Sequence, residues 1–349
     1  MNTKPTTKPT ILLLRSPVSH NDPATTTHLN TLFNILEYDC PTIADFISAL
    51  SPGGKYSNIS AIVRTGWLKA GPYASHLLFQ GEPITHYPPS LKLICCSGHG
   101  FDAADIPRLT QRGILYCNTP DTCTVPVANV AVQLVLNTFR YLSFAEHCVR
   151  SEQWMKSREL GLKAVDPEGM VLGVVGMGCI GREIARRAKG GLGMRIHYFN
   201  RRRVEDLKSG MEDAMYEESL EALIRVSDCL VLACPYTTEM HHMLSRREFA
   251  LAKEGGLRVV NIARGKLVDE EALLEAMDEG KVVGVGLDVH EHEPQVNPRL
   301  LADPMVTVLP HIGVCSQTTW KEFDRVSFEN LEEFFYGSGV PKSAVNVVE

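Results

Sequence analysis

Three residues in the second half of the chain, an arginine, a glutamate and a histidine, could together bind an oxo acid and protonate its carbonyl oxygen. Arg264 lies in Asn-Ile-Ala-Arg-Gly, Glu293 in His-Glu-His-Glu-Pro and His311 in Pro-His-Ile-Gly. A guanidinium can hold carboxylate and carbonyl oxygens in one planar fork, and an imidazole exchanges its proton readily near neutral pH. The three types therefore predict acid-base chemistry on a small oxo acid, with a surface role for Arg264 as the alternative.

Glu293 is predicted to orient His311 and to favour its protonated form. Glu291 is the rival for this role, because it lies two residues earlier in the same segment. The adjacent His290 and His292 suggest a metal site as a second alternative. No cysteine or further carboxylate in the segment completes a ligand set, so no metal is predicted.

A glycine motif in the middle of the chain predicts a dinucleotide site. Gly176-Met177-Gly178-Cys179-Ile180-Gly181 follows an apolar run directly and begins a helical pattern. In G-x-G-x-x-G the glycines allow a tight turn, close approach of a pyrophosphate and close packing of helix on strand. The helix N-terminus then faces the phosphates. A purely structural glycine turn is the alternative.

The residues after the next strand indicate which dinucleotide is preferred. The position that reads the ribose lies 200 − 181 = 19 residues after the third glycine and is Asn200, where NAD-preferring enzymes place an acidic residue. Arg201, Arg202 and Arg203 follow, and these cations could bind a 2′-phosphate. NADP(H) is the predicted cofactor and NAD(H) the alternative, while a solvated basic turn would explain the arginines without a ligand.

Short apolar runs alternate with helical patterns along the chain, which predicts an α/β protein with parallel sheets. The expected strands of a first sheet are 11–14, 61–64, 93–96 and 114–116, and those of a second sheet are 170–175, 195–199, 229–233, 258–262, 284–288 and 306–309. A long helix is expected from Thr124 to about Trp154, and a last helix from about 317 to 336. The predicted domains are 1–122 with 318–349, and an inserted dinucleotide-binding domain over 123–317.

Composition restricts the possible partners. The 349 residues exceed what one core usually supports, and a formal charge of −6 without a basic stripe disfavours nucleic acid and anionic membrane surfaces. No apolar run is expected to span a membrane. Ten cysteines without Cys-x-x-Cys spacing fit a reducing compartment. We expect a cytoplasmic enzyme acting on a small molecule.

The ordered set of motifs resembles the D-isomer-specific 2-hydroxyacid dehydrogenase family over almost the whole chain, and the segment 290–297 is similar to its fungal D-mandelate dehydrogenase-like and glyoxylate-hydroxypyruvate reductase branch. The resemblance implies two Rossmann-like domains, the substrate domain being flavodoxin-like, and reduction of a 2-oxo acid to the D-2-hydroxy acid in the cleft between them. It also implies a homodimer. Asn129, where glutamate is common in the family, is a departure that the sequence does not explain.

The resemblance extends the list of site residues. It implies that Asp288 lies near the nicotinamide and that backbone N–H groups of Gly98-His99-Gly100 bind the substrate carboxylate. Arg264 is expected to bind the substrate together with this loop. His99, where many relatives have valine, either shapes substrate choice or points to solvent. Further expected cofactor contacts are Cys179, Ile180, Cys234, Pro235, Ile262, Ala263 and Gly313.

Other functions with similar motifs are less well supported. A nicotinamide-sensing scaffold related to transcriptional corepressors would keep the same three residues, but long low-complexity extensions are not evident. A formate dehydrogenase would carry glutamine in place of Glu293. Glyoxylate, hydroxypyruvate, a branched oxo acid and phenylglyoxylate all stay open as substrates. The aromatic residues that could line a pocket for an aromatic or branched group are Trp67, Tyr73, Phe101 and Trp320, although a core or interface position is the commoner role for each.

Overall fold

Parallel strands alternate with helices throughout the residues that the computed structural model describes, which are 5–15, 23–65, 77–207 and 210–347. The chain divides into two units, Met1–Cys123 with Val314–Glu349 and Thr124–Gly313. The divisions fall at 123/124 and 313/314, compared with the predicted 122/123 and 317/318. The predicted α/β class with an inserted dinucleotide-binding domain is confirmed.

The first unit contains a parallel sheet with the strand order β2-β1-β3-β4-β5, which is the flavodoxin-like order. Residues of β1 alternate between two cores: Leu12 and Leu14 face one, and Ile11 and Leu13 face the other. The elements are β1 (Thr10–Arg15), α1 (Pro23–Leu32), β2 (Asn34–Glu37), α2 (Ile43–Leu50), β3 (Ala61–Thr65), α3 (Glu82–His86), β4 (Leu93–Cys96), α4 (Ile106–Gln111) and β5 (Leu115–Cys117).

The second unit contains a parallel sheet with the order β12-β11-β10-β9-β6-β7-β8. The order reverses between β6 and β9, which is the switch point where such sheets bind dinucleotides. The strands are β6 (Val171–Val175), β7 (Arg195–Phe199), β8 (Met215–Tyr216), β9 (Cys229–Leu232), β10 (Leu257–Asn261), β11 (Val282–Leu287) and β12 (Val306–Val308). The helices are α5 (Thr124–Arg140), α6 (Leu142–Arg150), α7 (Cys179–Leu192), α8 (Leu220–Val226), α9 (Arg246–Phe249), α10 (Glu270–Asp278) and α11 (Pro298–Ala302).

The long helix predicted from Thr124 to about Trp154 is instead two helices. Tyr141 lies between α5 and α6 with φ 48°, a left-handed conformation that ends the first helix. Its hydroxyl donates to the carbonyl of Val283 at 2.7 Å, so tertiary contact fixes the break. By length and mean hydropathy, Asp121–Arg140 could span a membrane, contrary to the sequence expectation, but half of that stretch is buried and α5 packs on β10 and β11. A helix buried in a protein core can have the same length and hydropathy as a membrane-spanning helix.

The last helix, α12 (Gln317–Tyr336), returns to the first unit and packs on β3 and β4. Leu331 of this helix is buried with Phe33 and Leu93. Trp320, one of the four aromatic residues proposed for a substrate pocket, is buried against Phe323 of the same helix. The core alternative therefore describes Trp320 best.

Candidate active site

The glycine motif forms a turn between β6 and α7 that fits a dinucleotide pyrophosphate. Gly176 has φ +99°, and a Cβ there would lie 2.7 Å from the carbonyl oxygen of Ala233. A Cβ on Gly181 would lie 2.0 Å from the carbonyl oxygen of Gly176. Gly178 in contrast faces open space, with nothing within 4 Å of its Cβ position. The two tight glycines shape the turn, and the open one leaves its backbone accessible to a phosphate.

Two of the other expected cofactor contacts adjoin this turn at the helix start. Cys179 and Ile180 are the first residues of α7, and the N-terminus of a helix suits an anion. Cys234 follows β9, and its Cα lies 2.9 Å from the Cβ position of Gly176. Pro235 comes next and is exposed. The loops after the two strands at the switch point therefore touch.

Asn200 follows β7 and is fixed by the glycine turn. Its Oδ1 accepts the N–H of Met177 at 2.7 Å, and its carbonyl accepts the hydroxyl of Tyr216 at 3.3 Å. Arg201 and Arg202 are exposed beside it. The segment thus places two cations next to a neutral residue at the position that reads the ribose.

Arg264, Glu293 and His311 follow three neighbouring parallel strands, β10, β11 and β12. The carboxyl ends of parallel strands meet at one edge of the sheet, and the glycine turn after β6 lies at the same edge. The loops are also in contact, because a Cβ on Gly265 would lie 2.0 Å from the backbone carbon of His290. The topology therefore brings all three predicted residues to the sheet edge of the dinucleotide turn.

His311 is hydrogen-bonded to Glu293. Its Nδ1 lies 3.1 and 3.0 Å from the two carboxylate oxygens. Both side chains are largely buried, at 20% and 14% exposure, which strengthens their attraction relative to a surface pair. Glu291, the rival, instead pairs with His242 at 2.7 Å. The structure thus places Glu293 rather than Glu291 against the imidazole.

The backbone that carries His311 is held by Asp288. The carboxylate of Asp288 accepts the N–H groups of Ile312 and Gly313, each at 2.8 Å. Burial raises the pKa of the Asp288 carboxyl, and the N–H group of Ile312 opposes that shift by stabilising the charged form. His311 itself has φ 56°, in the left-handed region. Asp288 therefore positions the loop of His311, in addition to its expected place near the nicotinamide.

The turn that presents Arg264 depends on a residue that the sequence analysis did not single out. The side chain of Asn261, fully buried at the end of β10, donates to the carbonyl of Arg264 at 2.8 Å and accepts the N–H of Ala263 at 3.0 Å. Ile262 and Ala263 are buried within this turn. An asparagine at the end of a strand can cap such a turn through its side chain, and this signal could have indicated the role of Asn261.

The loop expected to bind the substrate carboxylate, 98–100, lies in the first unit, and two of its residues make hydrogen bonds within that unit. The N–H of Gly98 donates to Thr119 Oγ1 at 2.8 Å, which corrects the expectation that all three residues of the loop offer backbone donors. His99 is exposed, and its Nδ1 lies 3.1 Å from the carbonyl of Pro120. Its ring is thus anchored at one nitrogen and exposed to solvent at the loop surface.

Of the four other residues that the sequence points to, Phe101 and Asn129 have defined places. Phe101 is exposed, whereas Trp67 and Tyr73 lie outside the described residues. Asn129 of α5 accepts a hydrogen bond from Arg187 of α7. This contact joins the helix after the glycine turn to α5 and gives the family departure at Asn129 a physical role.

Comparison with known proteins places the chain among 2-hydroxyacid dehydrogenases. Residues 132–313 match the family model described as D-isomer specific 2-hydroxyacid dehydrogenase, NAD binding domain. The chain is 37% identical over 305 residues to 4-methyl-2-oxopentanoate reductase A of Aspergillus oryzae, covering 87% of this chain and 88% of that protein. It is 38% identical over 262 residues to a glyoxylate reductase of Thermococcus gammatolerans, covering 74% and 77%.

A solved structure is similar over nearly the full length. The holo form of Rhodotorula graminis D-mandelate dehydrogenase has a TM-score of 0.91 and 33% sequence identity, covering 98% of this chain and 99% of that one. The branch suggested by residues 290–297 thus includes a close structural neighbour of this chain.

Proposed function

The chain belongs to the D-isomer specific 2-hydroxyacid dehydrogenase family, and on that premise we propose that it reduces a 2-oxo acid to the D-2-hydroxy acid with NADPH as its preferred reductant. The observation that carries the proposal is the hydrogen-bonded pair of His311 and Glu293 at the sheet edge that also holds the dinucleotide turn. Because the proton donor and the cofactor site lie at the same sheet edge, both can act on one substrate.

A nicotinamide held at the glycine turn would supply the hydride for C2 of the oxo acid. His311 gives the matching proton to the carbonyl oxygen, so that the C=O double bond becomes a C–O single bond and one C–H and one O–H bond are formed. Because Nδ1 of His311 faces Glu293, Nε2 is the nitrogen that carries this proton. The negative charge of Glu293 stabilises the protonated ring, and its two oxygens fix the ring orientation.

Arg264 binds the substrate carboxylate in this proposal. Its backbone is fixed by Asn261, and its Nη1 donates to the carbonyl of Ala263 at 2.7 Å, which limits the directions that the guanidinium can take. A planar cation held in this way can stabilise the negative charge that develops on the carbonyl oxygen. Asp288 keeps the backbone of the His311 loop in place.

The double substitution Arg201→Ala/Arg202→Ala should reduce the preference for NADPH. Each charge-assisted bond to a 2′-phosphate contributes about 1.5–3 kcal/mol, so the ratio of kcat/KM for NADPH over NADH should fall at least about tenfold. The measurement is steady-state kinetics with both cofactors at saturating oxo acid.

The matched control is Arg246→Ala/Arg247→Ala, two exposed arginines on α9 that pair with Glu275 and Glu221. It should leave the ratio unchanged. Asn200→Asp keeps the acceptor for Met177 N–H but adds a charge, and it should shift preference toward NADH. An unchanged ratio in the arginine double variant would remove these residues from cofactor choice.

The function itself is tested with a panel of oxo acids. The panel is glyoxylate, hydroxypyruvate, 4-methyl-2-oxopentanoate and phenylglyoxylate, since relatives are named for reduction of glyoxylate and 4-methyl-2-oxopentanoate. We expect NADPH oxidation with at least one of these acids and a D product on chiral chromatography. The proposal fails if none is reduced, or if the chiral product is the L isomer.

A further inference from the structure

Two adjacent histidines and a glutamate form a cluster on the second unit that the reduction does not use. His241, His242 and Glu291 each offer one ligand atom, and these atoms all lie within 4.8 Å of one another. The local motif points only to His290 and His292 as candidate metal ligands. The chain fold instead brings His241 and His242, about fifty residues away, to this carboxylate.

The donor set of this cluster matches zinc. Two imidazole nitrogens and one carboxylate oxygen, with a position left for water, form a common zinc coordination set. Bonds of about 2.0–2.2 Å place tetrahedral ligand atoms roughly 3.3–3.6 Å apart. His242 Nε2 and Glu291 Oε1 lie 2.7 Å apart and must separate by about 0.6–0.9 Å to admit an ion.

The backbone positions of two of the three ligand residues are already fixed by hydrogen bonds. His242 has φ 54°, and its N–H donates to the carbonyl of Lys266 at 2.9 Å. The N–H of Glu291 donates to the buried carboxylate of Glu270 on α10 at 2.9 Å. Binding therefore costs little ordering of these residues.

The third ligand, His241, is exposed and contacts the rings of His242 and Tyr236. His241 is exposed, and its ring stacks on that of His242 with centroids 3.9 Å apart and planes inclined by 25°. Imidazole lone pairs lie in the ring plane, so the His241 ring must rotate about its side-chain bonds to share an ion with His242. Its exposure leaves room for that rotation.

A second carboxylate supports the coordinating form of His242. Asp269 Oδ2 lies 3.8 Å from His242 Nδ1, the nitrogen that faces away from Glu291. Histidine ligands of zinc commonly direct their second nitrogen to a carboxylate, which fixes the tautomer and raises the basicity of the ligand. Asp269 is itself held as the N-cap of α10, where it accepts the N–H of Ala272 at 3.0 Å.

We propose that His241, His242 and Glu291 form a Zn²⁺ site with Asp269 as the outer carboxylate. Glu291 lies two residues before Glu293, and the residue before Glu291 is tied to the same carboxylate, because the N–H of His290 donates to Glu293 Oε1 at 3.1 Å. A bound ion at Glu291 thus fixes the segment that holds the partner of His311. The site stands on its own geometry and is independent of the proposed reduction.

The test is an equilibrium Zn²⁺ titration of the full chain in competition with a chromophoric chelator. The parent carries Cys179→Ser and Cys315→Ser, because these two cysteines are exposed thiols that would bind zinc themselves. We expect one zinc equivalent in the parent, and at least about tenfold weaker binding in His241→Ala. Because His241 is exposed, this variant should keep its fold. Asp269→Asn keeps a helix-capping side chain but removes the charge, and it should weaken binding by about tenfold.

The matched control is His292→Ala, an exposed histidine next to Glu291 that is outside the cluster. It should bind zinc as the parent does. The proposal is overturned if the parent binds no zinc, if His241→Ala binds it as tightly as the parent, or if only His311→Ala weakens binding, which would locate the ion at the catalytic pair. An anomalous diffraction peak between His242 and Glu291 in a zinc-soaked crystal would support it independently of turnover.

Discussion

His311→Ala should lower kcat for oxo acid reduction by about 10²- to 10⁴-fold, the usual contribution of a positioned general acid. The carbonyl oxygen of the oxo acid would then have to take its proton from water. Glu293 orients the His311 ring, whereas nothing comparable orients the water molecule. Binding of NADPH should be unchanged, because the dinucleotide turn at Gly176 follows a different strand. The measurements are kcat and the Kd of NADPH.

His311→Asn provides a check on the backbone, since asparagine tolerates the left-handed conformation found there. A similar loss in both variants assigns the effect to the proton donor and not to backbone strain. His147→Ala, an exposed histidine on α6, is the control and should retain full activity. Near-normal kcat in both His311 variants would rule out this residue as the acid.

Arg264→Ala should lower kcat/KM for the oxo acid by about 10²- to 10⁴-fold, because two bonds to charged oxygens of about 1.5–3 kcal/mol each are lost. Arg264→Lys keeps the charge but not the planar fork, and it should recover only a small part of the loss. The KM for NADPH should change little. Steady-state kinetics over a range of oxo acid concentrations measures each quantity.

The control for Arg264 is Arg299→Ala, an exposed arginine paired with Asp278 at 2.8 Å, which should behave as the unmodified chain. A lysine variant with full activity would mean that a point charge suffices and that the fork has no role. An alanine variant with unchanged kcat/KM would mean that another group binds the carboxylate.

The features predicted correctly are those set by short stretches of sequence. The turn between β6 and α7 is one, because the close approach of Gly181 to the carbonyl of Gly176 lies within six residues of sequence. The alternation of apolar runs and helices gave the α/β class. The ends of β10, β11 and β12 were close to their predicted positions because these strands are continuous buried runs.

Features that depend on distant contacts or weak patterns were missed. The strands β2 and β8 lie at sheet edges and have four and two residues, too few for a clear apolar pattern. The break at Tyr141 depends on a hydrogen bond to Val283, far along the chain. The pairing of Glu291 with His242 spans 49 residues, so neither it nor the nearby histidine cluster is visible in a local motif.

The left-handed backbone of His311 also bears on how this enzyme could lose its activity through mutation. Glycine, asparagine, aspartate and histidine are the residues that accept this conformation at least cost, and of these only histidine ordinarily titrates near neutral pH. Backbone geometry and reactivity therefore select the same residue for unrelated reasons. With His311 as the proton donor, mutation of this codon to asparagine would lower turnover by about 10²- to 10⁴-fold while sparing the fold. The result would be a stable dinucleotide-binding protein on which selection for a non-enzymatic role could act.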